Sequence, residues 1–85
     1  MQIVFSSVAE KQWQEYVFAG KKTKLKKITQ LLDDIILSPY KGLGKPEALK
    51  HQLTGSWSRR INTEDRIVYK LADNTIFVNS IKGHY

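Results

Sequence analysis

The apolar periodicity of this chain changes at Ser38-Pro39, and that change constrains the fold more than any other feature. Before it, Leu25, Ile28, Leu32, Ile35 and Ile36 recur at the spacing of a helix with one buried face. Proline lacks an N–H and disfavours helical geometry in the residue before it, so the helix must stop there. A loop rich in glycine, closing on Pro46, covers residues 40–46. Residues 49–53, 57–62, 66–71 and 75–81 then read as strands, joined by turns at Thr54-Gly55, Thr63-Glu64 and Asp73-Asn74.

The beginning of the chain completes the pattern. Residues 2–5 form a short apolar run suited to a buried first strand, and Ser7 with Glu10 has the spacing of a capping box. A helix is predicted from about Ser7, with Val8, Trp13, Tyr16 and Val17 roughly on one stripe and Gly20 at its end. A strand, two helices and then an antiparallel run of strands make an α+β domain with one sheet, covered on one face by the helices. The other face is left to bind something. The 85 residues are enough for a single domain, 1–85, and no second one.

Composition narrows the function. Fourteen Lys and Arg against 8 Asp and Glu give a net charge of +6, which attracts polyanions, although many small domains are basic for solubility alone. With no cysteine and 2 histidines lacking metal-ligand spacing, neither disulfide, metal nor cofactor is expected. The start, from Met1 to Ser6, lacks the basic and long apolar regions of a signal peptide, and no run approaches the roughly 20 apolar residues of a membrane span. The expected location is the cytoplasm, away from any membrane.

The candidate chemistry lies in the second half. Glu47 follows Lys45-Pro46, where the proline can hold a side chain without a regular element; the alternative is a solvated loop carboxylate. Arg66 opens a strand, as a phosphate ligand or as half of an exposed ion pair with Glu64 or Asp65. Strand alternation puts Arg59 and Arg60 on opposite faces, leaving open which braces the fold and which grips phosphate. Trp57 suits either the core or base stacking, and His51 reads as a strand residue with a satisfied hydrogen bond. Strand 75–81 is expected to deliver His84 and Tyr85 to the sheet edge, although chain ends fray unless tied down. The lysines at 21, 22, 24, 26 and 27 read as a solvated face or an RNA-backbone contact.

Four motifs carry a resemblance: Gly44 to His51, Gly55 to Ile61, Asp65 to Tyr69, and His84-Tyr85. Together they resemble the YoeB/Txe toxins of bacterial toxin–antitoxin systems, within the RelE/ParE superfamily. The resemblance implies a RelE-like fold and a ribosome-dependent endoribonuclease that cuts messenger RNA in the ribosomal A site, touches ribosomal RNA and is silenced by a YefM-like antitoxin. By position it implies Glu47 as general base, Arg66 as phosphate-stabilising arginine, His84 as general acid and Tyr85 as terminal aromatic. It also places Lys50 and Arg60 on basic positions that hold RNA. Ala48 stands where the family pattern has proline. The oligomeric state, a homodimer included, stays open.

The chemistry agrees with that implication. In RNA the 2'-hydroxyl lies beside its own 3'-phosphate, so a protein need only orient it, take its proton, stabilise the phosphorane and protonate the leaving oxygen. No metal is needed for these steps, the products are a 2',3'-cyclic phosphate and a 5'-hydroxyl, and DNA should resist. Two other readings compete: a non-catalytic ParE-like inhibitor of gyrase, which has no reason to keep Glu47, Arg66 and His84-Tyr85, and a plain RNA-binding module.

Overall fold

The computed structural model describes residues 1–83, so His84 and Tyr85 lie outside the described residues. Strand β1 (Gln2–Phe5) leads into helix α1 (Ser7–Phe18) and helix α2 (Lys22–Leu37). Four strands follow: β2 (Glu47–Ala48), β3 (Trp57–Arg60), β4 (Arg66–Ala72) and β5 (Thr75–Ser80). They form one five-stranded sheet in the order β1-β5-β4-β3-β2, parallel between β1 and β5 and antiparallel elsewhere. The last strand is therefore interior, flanked by β1 and β4, and the expected delivery of His84 and Tyr85 to the sheet edge lies outside the described residues. A parallel first strand needs a long crossover, and the two helices supply it.

Helix α1 is capped by Ser6 rather than Ser7: the Ser6 hydroxyl accepts from the Ala9 N–H and donates to the Asn79 carbonyl. That carbonyl lies where the β4–β5 register slips between Val68 and Tyr69, so one serine caps the helix and satisfies an irregular stretch of strand. Ala9 and Tyr16 are the buried residues of α1, while Val8 and Val17 face solvent, a correction to the predicted stripe. The helix has a narrow apolar face and relies on Trp13, edge-on to Phe5 at 6.1 Å, to complete it. Helix α2 follows its periodicity and buries Ile28, Leu31, Leu32 and Ile35.

These side chains meet Ile67, Tyr69, Ile76 and Val78, the inward positions of β4 and β5. The predicted strand 49–53 is absent. Its place is taken by β2 and by a single 3-10 turn, His51–Leu53, with His51 at φ 59. Leu49 is buried, but Thr54 returns both its N–H and its hydroxyl to the His51 carbonyl, and that local bonding outcompetes a ladder. His51 itself is exposed, not a strand residue.

Candidate active site

Glu47 belongs to a two-residue strand at the sheet edge, entered through Lys45 at φ 52 and Pro46. Proline is tolerated there because an edge residue owes one side of the ladder no hydrogen bond. Glu47 is opposite Ser58, Ser58 opposite Val68, and Arg60 opposite Arg66. Directly opposed residues project to one face, so Glu47, Ser58, Arg60 and Arg66 share the face turned away from the helices. On it Arg66 Nη1 lies 3.8 Å from Glu47 Oε2 and 3.4 Å from Ser58 Oγ. The Glu47 side chain is 61% exposed and that of Arg66 16%. An ion pair this open is worth about 0 to 1 kcal/mol, so a substrate phosphate or hydroxyl can displace it. Arg66 thus approaches Glu47 across the sheet.

The loop that carries Glu47 is fixed from behind by Arg59. This side chain is fully buried, and its five N–H groups donate to Tyr69 Oη, to Asp34 Oδ2 and to the carbonyls of Leu43, Ser38 and Lys41. Tyr69 Oη donates onward to the Pro39 carbonyl at 2.6 Å. Asp34 also accepts from the Leu43 N–H, and that bond together with Arg59 holds its carboxyl below the usual carboxylate range. Burial pushes the Tyr69 phenol up, partly offset by Arg59. Arg59 has no donor left for RNA, and the expectation that it grips phosphate is corrected: it braces the loop.

Gly44 then passes against β3, its carbonyl accepting from the Arg60 N–H at 2.7 Å. Its φ is +78°, and a Cβ would sit 2.9 Å from Leu31 Cδ2 and 3.0 Å from the Arg60 carbonyl, so only glycine fits.

Arg60 is exposed and, with Lys27 and Lys45, lines a cavity of about 370 Å³. Lys50, also exposed, lines one of about 310 Å³ with Glu47, Ala48, Leu49, His51 and Leu53. Trp57 lies on the opposite face, half-buried against the core, its ring 4.9 Å from that of Tyr40. It is not placed to stack a base beside Glu47, and the core reading of Trp57 holds.

The segment leading to His84 and Tyr85 is held more firmly than expected. The Ile81 N–H donates to Gln12 Oε1 at 2.7 Å, and the Ile81 carbonyl accepts from Tyr16 Oη at 3.0 Å. Gly83 donates to Asp65 Oδ1 at 2.7 Å and accepts from the Arg66 N–H at 3.2 Å. The described residues therefore end at the backbone of Arg66. Sequence reasoning missed Gln12, Tyr16, Ser58 and Asp65. Tyr16 was read only as part of an apolar stripe, Asp65 only as a motif residue or a partner for Arg66, and Ser58 left its signal in the strand alternation that links it to Arg60.

Among the described residues, no group of three or more His, Asp or Glu side chains is placed to hold a metal, and no helix is long and apolar enough to cross a membrane.

Two helices over one face of a small mixed sheet are an architecture this chain shares with solved bacterial toxins. The YoeB/ParE toxin from Agrobacterium tumefaciens superposes with a TM-score of 0.95 at 31% identity, covering all of both chains. The toxin of the YoeB-YefM complex from Staphylococcus aureus superposes at 0.90 with 43% identity over all of this chain and 98% of the other, and has also been solved as a YoeB dimer. In sequence, Toxin YoeB of Synechocystis sp. is 42% identical, covering all of this chain and 98% of that protein. The sequence model of the YoeB-like toxins of bacterial type II toxin–antitoxin systems matches residues 8–85. The chain belongs to that family.

Proposed function

We propose that this toxin is an endoribonuclease that cleaves messenger RNA in the A site of the ribosome. The observation that carries the reading is the Glu47 carboxylate beside the Arg66 guanidinium on one open cationic face, with the Gly83 carbonyl bonded to the Arg66 N–H. Glu47 takes the proton of the RNA 2'-hydroxyl, whose oxygen attacks the neighbouring phosphorus. Arg66 stabilises the charge that builds on the phosphorane oxygens. His84, the residue after Gly83, gives a proton to the departing 5'-oxygen, leaving a 2',3'-cyclic phosphate and a 5'-hydroxyl. Tyr85 stacks on a base beside the cut. All the groups these steps require are side chains and substrate.

Lys50 lines the cavity next to Glu47, and Lys45 and Arg60 line the one beyond, so an RNA strand crossing the face meets cations on both sides of the carboxylate. Ribosomal RNA is drawn to the same net charge of +6. A YefM-like antitoxin neutralises the toxin, a reading supported by the YoeB-YefM complex from S. aureus, and its expected route is an acidic segment laid over this cationic face; the YoeB dimer of that organism supports a homodimer of this chain. The site of action is the cytoplasm, where messages are translated.

Single-turnover cleavage on programmed ribosomes tests the reading. Glu47→Gln should slow it by about 100-fold or more with ribosome binding near wild type, because positioned proton transfer contributes roughly 10² to 10⁴. Cleavage at the wild-type rate would remove Glu47 as the base and leave an RNA-binding module.

A further inference from the structure

We propose that Asp65 is a positioning residue for the reaction: its carboxylate fixes the Gly83 peptide, the last one before His84, beside the backbone of Arg66. The inference rests on the endoribonuclease reading and adds a residue to it.

Asp65 is 7% exposed, and each carboxylate oxygen has one strong partner. Oδ1 accepts from the Gly83 N–H and Oδ2 from Lys24 Nζ, both at 2.7 Å. The backbone of Asp65 is equally constrained. Its N–H donates to Asn62 Oδ1 at 2.7 Å, and its carbonyl accepts from the N–H groups of Ile61 and Asn62. Lys24 is held in turn, its ammonium 4.6 Å above the centre of the Tyr16 ring. Tyr16 donates to the Ile81 carbonyl. The carboxylate thus closes a circuit from α2 through Lys24 to the end of the chain, and from there through Ile81 and Tyr16 to α1.

The contact is placed where it decides direction. Residues 81–83 lie beyond β5, and side chains take most of their backbone hydrogen bonds. Consecutive residues grip the two sides of Gly83: the Asp65 side chain takes its N–H, and the Arg66 backbone donates to its carbonyl. Arg66 itself points to Glu47. One dipeptide, Asp65-Arg66, therefore carries the phosphate ligand and the anchor of the segment that bears the acid. Gly83, at φ +76, turns in the left-handed region, and a shift of its peptide would redirect whatever follows. Misplacing a proton donor by about 1 Å can cost roughly 10²-fold in rate.

A buried ion pair that merely stabilises the fold predicts something different, and two substitutions with two readouts separate the cases. Asp65→Ala and Asp65→Asn are compared for single-turnover cleavage on programmed ribosomes and for hydrogen exchange of individual amides, at a temperature where both variants are folded. Asp65→Ala should lower the maximal cleavage rate by about 10- to 100-fold with half-saturation within about twofold. It should also speed Gly83 amide exchange by at least about tenfold, while Ile67 and Tyr69 keep their protection. Asp65→Asn retains an acceptor for the Gly83 N–H and should restore most of the rate and of the Gly83 protection. Full cleavage by Asp65→Ala despite a freely exchanging Gly83 would overturn the proposal. So would a rate loss matched by lost protection across β4, which marks general destabilisation. Glu47→Gln measured alongside distinguishes the failures: if it abolishes cleavage while Asp65→Ala is fully active, only the role of Asp65 falls, whereas wild-type cleavage by Glu47→Gln removes the nuclease reading and this role with it.

Discussion

Arg59 and Arg60 are adjacent in sequence and opposite in fate. One spends its five donors on a loop and a tyrosine inside the domain, and the other lies exposed on the face that carries Glu47. Removing a buried charge's partner typically costs about 3 to 5 kcal/mol because the remaining groups are stranded without water. Arg59→Ala takes its donors from Tyr69, three loop carbonyls and Asp34, but Asp34 is reached by water, so urea denaturation should show a clear loss that stays below that figure. Arg60→Ala should change stability by no more than about 0.5 kcal/mol while weakening RNA binding at low salt. Similar losses of stability in the two variants would contradict the division of labour. Alternation alone said that the two side chains part company. It did not say which goes inward, because that depends on Asp34 and on loop carbonyls brought from far along the chain.

At the level of elements, two carboxylates pin the segments that flank the site. Asp34 holds the loop before Glu47 through Leu43 and Arg59, and Asp65 holds Gly83. Burial alone would raise Asp65, but the bonds from Lys24, Gly83 and Asn62 outweigh it and leave its carboxyl below the ordinary range, as is that of Asp34. Groups depressed in the folded state contribute stability above their unfolded pKa, about 3.9, and lose it as pH falls through the folded value. Urea midpoints should therefore fall on acidification below about pH 4, less so in Asp65→Asn. The opposite limb belongs to Tyr16. Burial first, then the charges of Asp65 and Glu15, push its phenol up to about 12. Its contribution is complete below the unfolded value of about 10 and disappears as pH rises toward 12, a decline that Tyr16→Phe should lack. An acid limb unchanged in Asp65→Asn, or an alkaline limb retained in Tyr16→Phe, would sink the respective assignment. Helix α2 and strands β3 to β5 were legible because their apolar spacing is regular and their packing follows it. The stretch 49–53 was misread as a strand because Leu49 is apolar for burial while Thr54 and His51 make a local turn. The anchors of residues 81–83 were illegible because each joins groups separated by 18 to 69 residues in the chain.

For the molecule as a whole, the helices supply the core and the crossover, and the sheet presents its other face with Glu47, Arg60 and Arg66 upward. The loop before Glu47 and residue Gly83 are each tied by a buried residue of the scaffold, Arg59 for the loop and Asp65 for Gly83. On the proposed nuclease function, the net charge of +6 predicts that cleavage at subsaturating toxin falls steeply between about 50 and 200 mM salt while the maximal single-turnover rate changes little. A maximal rate that fell in parallel would place the salt effect on the chemical step instead. The central claim is that the scissile bond is broken by the RNA's own 2'-hydroxyl, deprotonated by Glu47. It is tested most directly by a message with a single 2'-deoxynucleotide on the 5' side of the cleaved phosphate, bound to programmed ribosomes and followed through one turnover. The account predicts binding of the toxin as to the unmodified message, no cut at that position, and a 2',3'-cyclic phosphate on the unmodified product; cleavage of the deoxy-substituted bond at an undiminished rate would contradict it.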